Sequence, residues 1–353
     1  MKNVRFYVLL LLMVFSAGAF SGCTLLAGRE QAYFYERPSI GFTAKDEVTT
    51  EVELQGQNSL TLTAEDGVIT IVPYEGKTLR LTEKRRLTGP STPKALKAML
   101  DKRSLKIEKD VTEVTIDMES GEKQKPLYRL TDDVELKVPK GVFLLNITAK
   151  SGKIALSGFS GMSSLDLGIS KGNIEVTRCE AYQLIVNVTQ GNLEIAEFSG
   201  DGTYECGKGN NTLRDIKGDI ELSSLAGNTR IEEAEGRLEC DVSSGSMTVG
   251  SSRISGGSVL YASNGTIDAD LSNLDASGKY EIKASKGELK LKLSGTAGWS
   301  LLAESTNGRI KAKPLLSSGE LKWSPTGELY GDVRGGGPTI DVYTDMGDIA
   351  LYQ

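Results

Sequence analysis

Apolar and polar residues alternate with a period of two along most of the chain, and a glycine interrupts the alternation at regular intervals. The unit reads SLDLGISKGNIEV around Gly172 and QLIVNVTQGNLEI around Gly191, with alternating apolar positions on both sides of the glycine. Such alternation predicts two short β-strands per unit rather than helices. The glycine supplies the positive φ that a sharp corner between the strands needs.

This unit recurs from residue 150 onward, with steps of 20, 19, 18, 18, 18, 20, 22 and 21 residues between successive glycines. Short strands at so constant a step bury their apolar faces by stacking coil upon coil. We therefore predict an all-β fold, a parallel β-solenoid (β-helix) of about nine or more short coils. The alternative is an antiparallel meander, whose hairpins usually have two-residue turns and variable spacing. The predicted corner residues are Gly152, Gly172, Gly191, Gly209, Gly227, Gly245, Gly265, Gly287, Gly308 and Gly347.

Asparagine follows the glycine in four consecutive units, at Asn173, Asn192, Asn210 and Asn228. In a stack these side chains lie above one another, and one explanation is a ladder of hydrogen bonds between their amides. The other is that asparagine tolerates the left-handed turn conformation. The sequence favours neither explanation.

Residues 1–22 have the pattern of a secretory signal peptide: a basic start, an apolar run from Phe6 to Phe15 and small residues before a cysteine. The run is too short to span a bilayer comfortably. Its end, Phe20-Ser21-Gly22-Cys23, resembles the bacterial lipobox, although Phe20 replaces the usual aliphatic residue. The resemblance implies cleavage before Cys23 and its lipidation, palmitate included. The alternative is an ordinary signal peptide that ends near a cysteine.

A lipidated Cys23 implies a membrane-anchored protein of the cell envelope. Thr24 follows it, and the lack of an aspartate there resembles outer-membrane sorting if the cell is Gram-negative. We assign residues 23–40 to a tether, 41–146 to an N-terminal β region and cap, and 147–353 to the solenoid repeats and C-terminal closing strands. The cap contains a predicted helix near 93–101, where Thr92 precedes a proline at the first helical position.

The charge is unevenly distributed along the chain. Residues 77–110 contain 11 Lys or Arg and 4 Asp or Glu, although the whole chain has 41 basic and 47 acidic residues. One explanation is that this segment lies against anionic headgroups. The other, which we favour, is a solvated charged face.

The sequence contains few motifs that indicate catalysis or the binding of a ligand. Histidine is absent, and the chain has no phosphate-binding loop, no EF-hand and no CxxC spacing, so we expect no metal, no cofactor and no nucleic-acid partner. Cys179, Cys206 and Cys240 are expected to be buried small apolar residues, with a stacked pair of Cys206 and Cys240 as the alternative.

Two pairs of acids are the candidates for catalysis. Asp268 with Asp270, and Asp219 with Glu221, each share one face of a predicted strand. Such pairs serve polysaccharide-cleaving enzymes, but these repeats lack the long loops that wall a groove. Trp299 and Trp323 are too few for a sugar platform. We therefore predict that the protein is not an enzyme.

The ending of the chain carries a family resemblance. The Val-Pro-Lys-Gly run at 138–141, the repeated glycine units and the end GELYGDVRGGGPTIDVYTDMGDIALYQ resemble the bacterial adhesin-like family of unknown function. The resemblance spans roughly residues 48–353. It implies envelope lipoproteins built from glycine-centred β-helical repeats, and it implies no catalytic residue.

Together these features predict a non-catalytic, lipid-anchored envelope protein that serves as an adhesin-like binding or scaffold module. Its expected partners are the membrane, through the lipid anchor, and a protein or glycan on one face of the solenoid. Two alternatives stay open: a polysaccharide-acting β-helix enzyme, and a carrier of envelope lipid.

Overall fold

The computed structural model describes residues 41–103, 105–118, 127–312, 315 and 320–353. The predicted signal peptide, Cys23, Thr24 and the tether lie outside the described residues. The described residues contain no helix of the length and hydropathy needed to cross a membrane.

One α-helix and 25 β-strands make up the described structure. They are β1 (Phe42–Glu53), β2 (Ser59–Tyr74), β3 (Thr78–Gly89), α1 (Pro93–Asp101), β4 (Lys106–Lys109), β5 (Glu113–Asp117), β6 (Arg129–Pro139), β7 (Leu144–Ser157), β8 (Met162–Gln190), β9 (Leu193–Lys208), β10 (Asn211–Lys217), β11 (Ile220–Ala226), β12 (Thr229–Gly236), β13 (Leu238–Ser244), β14 (Met247–Gly250), β15 (Arg253–Ile254), β16 (Ser258–Asn264), β17 (Ile267–Leu271), β18 (Lys279–Lys286), β19 (Leu289–Leu293), β20 (Trp299–Ser305), β21 (Ile310–Lys311), β22 (Leu321–Trp323), β23 (Leu329–Val333), β24 (Thr339–Met346) and β25 (Ile349–Tyr352).

Successive repeats stack in parallel, in the register set by the corner glycines. Gly67 of β2 pairs with Gly152 of β7, and Gly152 pairs with Gly172 of β8. The same parallel pairing continues through the middle of the chain, where β11 pairs with β9 and β13. The prediction of an all-β, mostly parallel, solenoid-like stack is confirmed.

Side chains of every repeat fill the interior. In one inner row, Tyr204, Leu222 and Cys240 lie on successive coils and are each at most 2% exposed. One continuous apolar cluster extends from Val52 to Leu351. The alternate residues of each strand point outward and are polar or charged in most rows, as a sheet with one buried face requires.

The last strands of the chain do not lie at the end of the stack. β24 pairs in parallel with β18 on one side and with β20 on the other, so Ile340 lies between Tyr280 and Leu301. β25 lies in the same way between β19 and β21. β20 then pairs antiparallel with β23, which pairs antiparallel with β22. The C-terminal segment is therefore an inner coil, which the order of repeats in the sequence does not reveal.

Antiparallel strands also occur at the N-terminal end of the stack, which we call the head. β6 lies parallel to the second half of β2, and it is followed by β3 and then β1, each antiparallel to its neighbour. β5 pairs in parallel with the first half of β2, and β4 pairs antiparallel with β5. In α1, Leu96 and Leu100 are buried against a small cluster that includes Ala44 and Leu87.

A second column of bends accompanies the glycine corners. Non-glycine residues with φ between 41° and 55° recur at steps of 19, 18, 18 and 18 residues. They are Arg178, Glu197, Asp215, Glu233 and Ser251. Because their residue types differ, the sequence contains no signature for this bend.

Two buried tyrosines lie against glycines but differ in their hydrogen bonding. A Cβ on Gly202 would meet the Tyr204 hydroxyl, and a Cβ on Gly278 would meet the Tyr280 hydroxyl. The Tyr280 hydroxyl donates to the Ile254 carbonyl at 3.0 Å and accepts from a backbone N–H at 2.9 Å. The Tyr204 hydroxyl has no hydrogen-bond partner among the residues that the structure describes.

We expect the substitutions Tyr204→Phe and Tyr280→Phe to have opposite effects on stability. Tyr280→Phe leaves backbone groups without their partner and should lower the free energy of unfolding by about 1–2 kcal/mol. Tyr204→Phe removes an unsatisfied hydroxyl and should leave that free energy unchanged or raise it by up to about 1 kcal/mol. Urea denaturation of both variants measures the difference, and equal losses would contradict the expectation.

Candidate functional site

The corner asparagines form a relay of hydrogen bonds along the outside of the stack. The Asn173 side-chain oxygen accepts from the Asn192 backbone N–H at 2.9 Å, and Asn192 does the same for Asn210 at 3.0 Å. In the same way, the side-chain oxygen of Asn210 accepts from the Asn228 backbone N–H, and that of Asn228 accepts from the Ser246 backbone N–H. One bond, from the Asn192 amide to the Asn173 oxygen at 3.2 Å, joins side chain to side chain. The relay therefore runs chiefly from side chain to backbone.

A second relay follows another glycine column. Gly200, Gly218 and Gly236 stack, with φ of +133°, +143° and +147°. After them, the Asp201 carboxylate accepts from the Asp219 N–H at 3.0 Å, and Asp219 accepts from the Arg237 N–H at 2.9 Å. The repeated Gly-Asp dipeptides at a step of 18 residues were the signal for it in the sequence.

The predicted corner glycines form one column. From Gly152 to Gly287, and at Gly347, φ lies between +115° and +158°. Gly308 is outside that range, and it stacks on Gly347, which itself stacks on Gly287. The last two corners are thus exchanged in space relative to their order in the chain.

The acid pairs singled out in the sequence are engaged in ordinary surface contacts. Asp270 bonds to Ser272 and to the Lys292 ammonium at 3.0 Å. Burial would raise the pKa of Asp270, but hydrogen bonds from Ser272 and Lys292 outweigh it and lower that pKa. The Asp219 carboxylate pairs with Arg237. Asp268 accepts a hydrogen bond from the Tyr352 hydroxyl at 3.4 Å.

The three described cysteines are free and buried. Cys206 pairs with Ser224 in the register of β9 and β11, whereas Cys240 pairs with Leu222. They therefore lie two coils apart in different rows and do not stack. Burial raises the pKa of both thiols, to about 12, so neither is a reactive thiolate.

The column of corner glycines ends at the head in a row of buried charges. Gly67 packs against the backbone of Asp132, which lies opposite Arg85, and Arg85 lies opposite Asp46. No residue of β6 or β3 has a positive φ, and the residues at this position are the charged Asp132 and Arg85 rather than a corner glycine.

We call the set Asp46, Glu83, Arg85, Lys97, Arg103 and Asp132 the head charge network. Arg85 binds both Asp46 oxygens, with Nε–Oδ1 at 2.8 Å and Nη2–Oδ2 at 2.6 Å. The Lys97 ammonium lies 2.9 Å from the same carboxylate. Arg103 Nη1 lies 2.6 Å from Asp132 Oδ2, and Arg103 Nη2 donates to the Met118 carbonyl. Positive and negative side chains thus alternate from Lys97 in α1, through β1, β3 and β6, to Arg103 directly after α1.

Glu83 is the unusual member of the network. It is 1% exposed, and within the described part of the chain its Oε1, like Asp132 Oδ1, has no hydrogen-bond partner. Burial, and then the Asp132 carboxylate, raise the pKa of Glu83. Burial also raises the pKa of Asp132, although Arg103 opposes it. The Arg85 hydrogen bond lowers the pKa of Asp46.

The raised pKa of Glu83 predicts a pH-dependent effect of Glu83→Gln. Because the pKa of Glu83 is higher in the folded state, folding favours the protonated side chain. This contribution to the free energy of unfolding is complete below the ordinary pKa of 4.5 and is lost as the pH rises through the folded-state pKa. Glutamine cannot ionise. Glu83→Gln should therefore raise the free energy of unfolding in mildly alkaline buffer and change it little below the ordinary glutamate pKa.

Denaturant titrations of Glu83→Gln at both ends of that pH range test the expectation. Glu47→Gln is the matched control, because Glu47 is exposed on the neighbouring strand β1. A Glu83→Gln effect that does not change with pH would contradict the prediction.

Part of the positive charge of the basic segment 77–110 is paired within the head charge network. Arg85, Lys97 and Arg103 pair with Asp46 and Asp132, which lie outside that segment. Arg80 pairs with Glu51 in the same way. Less of the local positive charge is thus free for an anionic surface than the sequence count suggests.

Two shallow depressions mark the outer surface. One of about 430 Å³ lies on the head sheet and is lined by Val68, Thr70, Thr82, Lys84, Asp133 and Glu135 among others. The other, of about 380 Å³, lies at a β-bulge between Glu180 and Gln183. It is lined by Glu180, Ser199 and Asp201, beside Tyr182, which is 80% exposed. The described residues contain no group of three or more acids and cysteines placed to hold a metal ion.

Comparison with known protein families gives a match over most of the chain. The family model described as Toastrack DUF4097 matches residues 57–352. No curated protein matches the chain.

Solved structures give more distant likenesses. A provisionally named cell adhesion protein from Clostridium sporogenes is 15% identical, with 88% of this chain and 99% of that chain covered and a TM-score of 0.20. A provisionally named adhesin from Bacteroides fragilis is 12% identical, with 87% and 97% covered and a TM-score of 0.32. A provisionally named lipid binding protein from Parabacteroides distasonis is 12% identical, with 71% and 95% covered and a TM-score of 0.26.

Proposed function

We propose, on the premise that this chain belongs to the Toastrack DUF4097 family, that it is a non-catalytic binding and scaffold module of the cell envelope. The family match confirms the resemblance that the sequence carried. In this proposal the stack is a rigid support, and a glycan or protein partner binds to its outer surface.

The observation that carries the proposal is where the acidic and apolar side chains lie, inside the stack or on its surface. Glu83 and Asp132 are buried in the head, and each has one carboxyl oxygen without a hydrogen-bond partner among the described residues. Two of the accessible acids that the sequence singled out, Asp270 and Asp219, form ion pairs with Lys292 and Arg237. The interior is filled by side chains that are close to 0% exposed, which argues against a cavity for lipid.

The depression beside Tyr182 is the part of the surface best suited to a partner. The bulge between Glu180 and Gln183 pushes Tyr182 out of the sheet, where its ring is 80% exposed next to Glu180 and Asp201. An exposed aromatic ring beside carboxylates can stack on a sugar ring, while the carboxylates accept hydrogen bonds from the sugar hydroxyl groups. Aromatic side chains also dominate protein interfaces.

The rest of the proposal concerns the position of the protein in the envelope. Lipidation of Cys23 anchors the chain to a membrane, residues 23–40 act as a tether, and the stack of about nine coils stands beyond it. The helix α1 packs against Ala44 of β1 and Leu87 of β3 at the head of this stack. Replacing Cys23 with Ser and fractionating the cells tests the anchor, since unchanged membrane association would remove it.

Binding and turnover are measured together in one experiment. Purified protein is titrated with soluble envelope polysaccharides, and the solutions are analysed for cleavage products. We expect binding without product, and Tyr182→Ala should weaken the binding about tenfold or more, as loss of a central aromatic contact does. Leu225→Ala is the matched control, because Leu225 is a large, 62% exposed side chain on another part of the surface.

Two results would overturn the proposal. Product formation that Asp268→Asn abolishes would show a polysaccharide-acting enzyme. Lipid recovered by organic extraction of the purified protein, in stoichiometric amount, would show a lipid carrier.

A further inference from the structure

The strand β1 at the head presents a long edge of the sheet. It spans Phe42–Glu53, twelve residues, and β3 is its one partner strand among the described residues. By contrast, the edge strands β4 and β22 have four and three residues. Natural proteins keep exposed edges short, or cover them, because unpaired backbone groups recruit another strand. A twelve-residue edge is therefore a surface for strand addition.

Two cations in the pairing of β1 with β3 are not balanced by a nearby acid. Lys45 lies directly opposite Arg86 in the pairing of β1 with β3, and both side chains are exposed. Like charges directly opposite each other destabilise a sheet. Neither Lys45 nor Arg86 has an ion-pair partner among the residues that the structure describes. Glu51, six residues further along β1, points to the same outer face.

A second copy of β1 complements this pattern when it is added antiparallel about a two-fold axis through Val48. In that register Lys45 of each copy faces Glu51 of the other, so two ion pairs form by symmetry. On the inner face, Ala44 faces Val52 of the second copy. A shift of two residues in one direction places Glu47 opposite Glu47, and a shift in the other direction places it opposite Glu51, which is repulsive in both cases.

We propose that the β1 edge is a self-association site, at which two copies of this chain pair antiparallel through β1 and join their sheets. Symmetric oligomers use isologous contacts of this kind, in which the same patch serves both subunits. The excess of positive charge at Lys45 and Arg86 is then met by the carboxylate of Glu51 from the second copy. In each copy Glu51 also contacts Arg80, 2.7 Å away.

Charge exchange tests the register. The full chain with Cys23→Ser is studied by sedimentation velocity over a range of concentrations. Lys45→Glu alone and Glu51→Lys alone should each raise the dimer dissociation constant about tenfold or more, because two attractive pairs become repulsive. The double variant Lys45→Glu with Glu51→Lys restores opposite charges and should restore the dimer. Arg80→Gln is the control for the contact within one copy, and it should leave the dimer intact.

Cysteine cross-linking tests the same register without changing charge. In the Cys23→Ser chain, Val48→Cys should form a disulfide-linked dimer under mild oxidation, because residues directly opposite each other have suitable Cα separations. Thr50→Cys is on the same face of β1 but faces Asp46 of the second copy, so it should not. A wild-type chain that stays monomeric at all concentrations, single charge variants that dimerise like wild type, or equal cross-linking at both positions would each overturn the proposal.

Discussion

Deletion of residues 338–353 is expected to unfold the C-terminal third of the protein rather than to trim its end. These residues form β24 and β25, which lie between β18–β19 and β20–β21. Ile340, Val342, Ile349 and Leu351 are at most 2% exposed. Each buried aliphatic side chain contributes about 1.5–3 kcal/mol. The four together are comparable with a whole domain's net stability of about 5–15 kcal/mol.

Thermal denaturation and hydrogen exchange measure this effect. The truncated chain should melt at least about 10 °C lower, or in two separate steps, because the hydrogen bonds on both sides of β24 are lost. In the intact protein, the amides of residues 339–346 should exchange as slowly as those of the middle coils, although chain ends usually fray. Removal of Gln353 alone is the control. A truncated chain that melts within a few degrees of wild type would show that the last strands are peripheral.

The repeated coils were predictable because most of their residues follow one pattern. The period of two fixes which face is buried, and the glycine step fixes the register, so Gly172 and Gly191 suffice to predict how their coils stack. The bend at Arg178 and Glu197 was not predictable, because its left-handed residues have no common chemistry. The order of the last coils was also hidden, since the sequences around Gly308 and Gly347 show the same corner pattern whichever of the two coils lies outermost.

The head charge network was out of reach of the sequence for a different reason. Asp46, Arg85 and Asp132 come from strands that are far apart in the chain and pair antiparallel. Their types suggest solvated side chains, because buried charges are rare. The basic count over residues 77–110 was correct, but it did not show that Arg85 and Arg103 turn inward. Charge patterns along the chain indicate surfaces only where the strand pairing is already known.

The substitution Gly227→Ala is expected to be among the most damaging single changes in the protein. Gly227 has φ of +131°, and a Cβ there would lie 1.7 Å from the Gly209 carbonyl oxygen of the adjacent coil. That oxygen belongs to the corner of the adjacent coil, where the Gly209 N–H donates to the Ala226 carbonyl at 2.9 Å, so it cannot move without separating the two coils. We expect a loss of at least about 4 kcal/mol in the free energy of unfolding.

A second glycine provides the matched control for Gly227→Ala. Gly141 lies in a turn, has no φ in the left-handed region, and a Cβ there would have no atom within 4 Å. Gly141→Ala should therefore leave stability unchanged or raise it by about 0.4–1 kcal/mol, because alanine restricts the unfolded chain. Urea denaturation of both variants gives the comparison. If Gly227→Ala cost less than about 1 kcal/mol, the corner would have room for a side chain, and the tight contact between successive glycines could not be what sets the register of the coils.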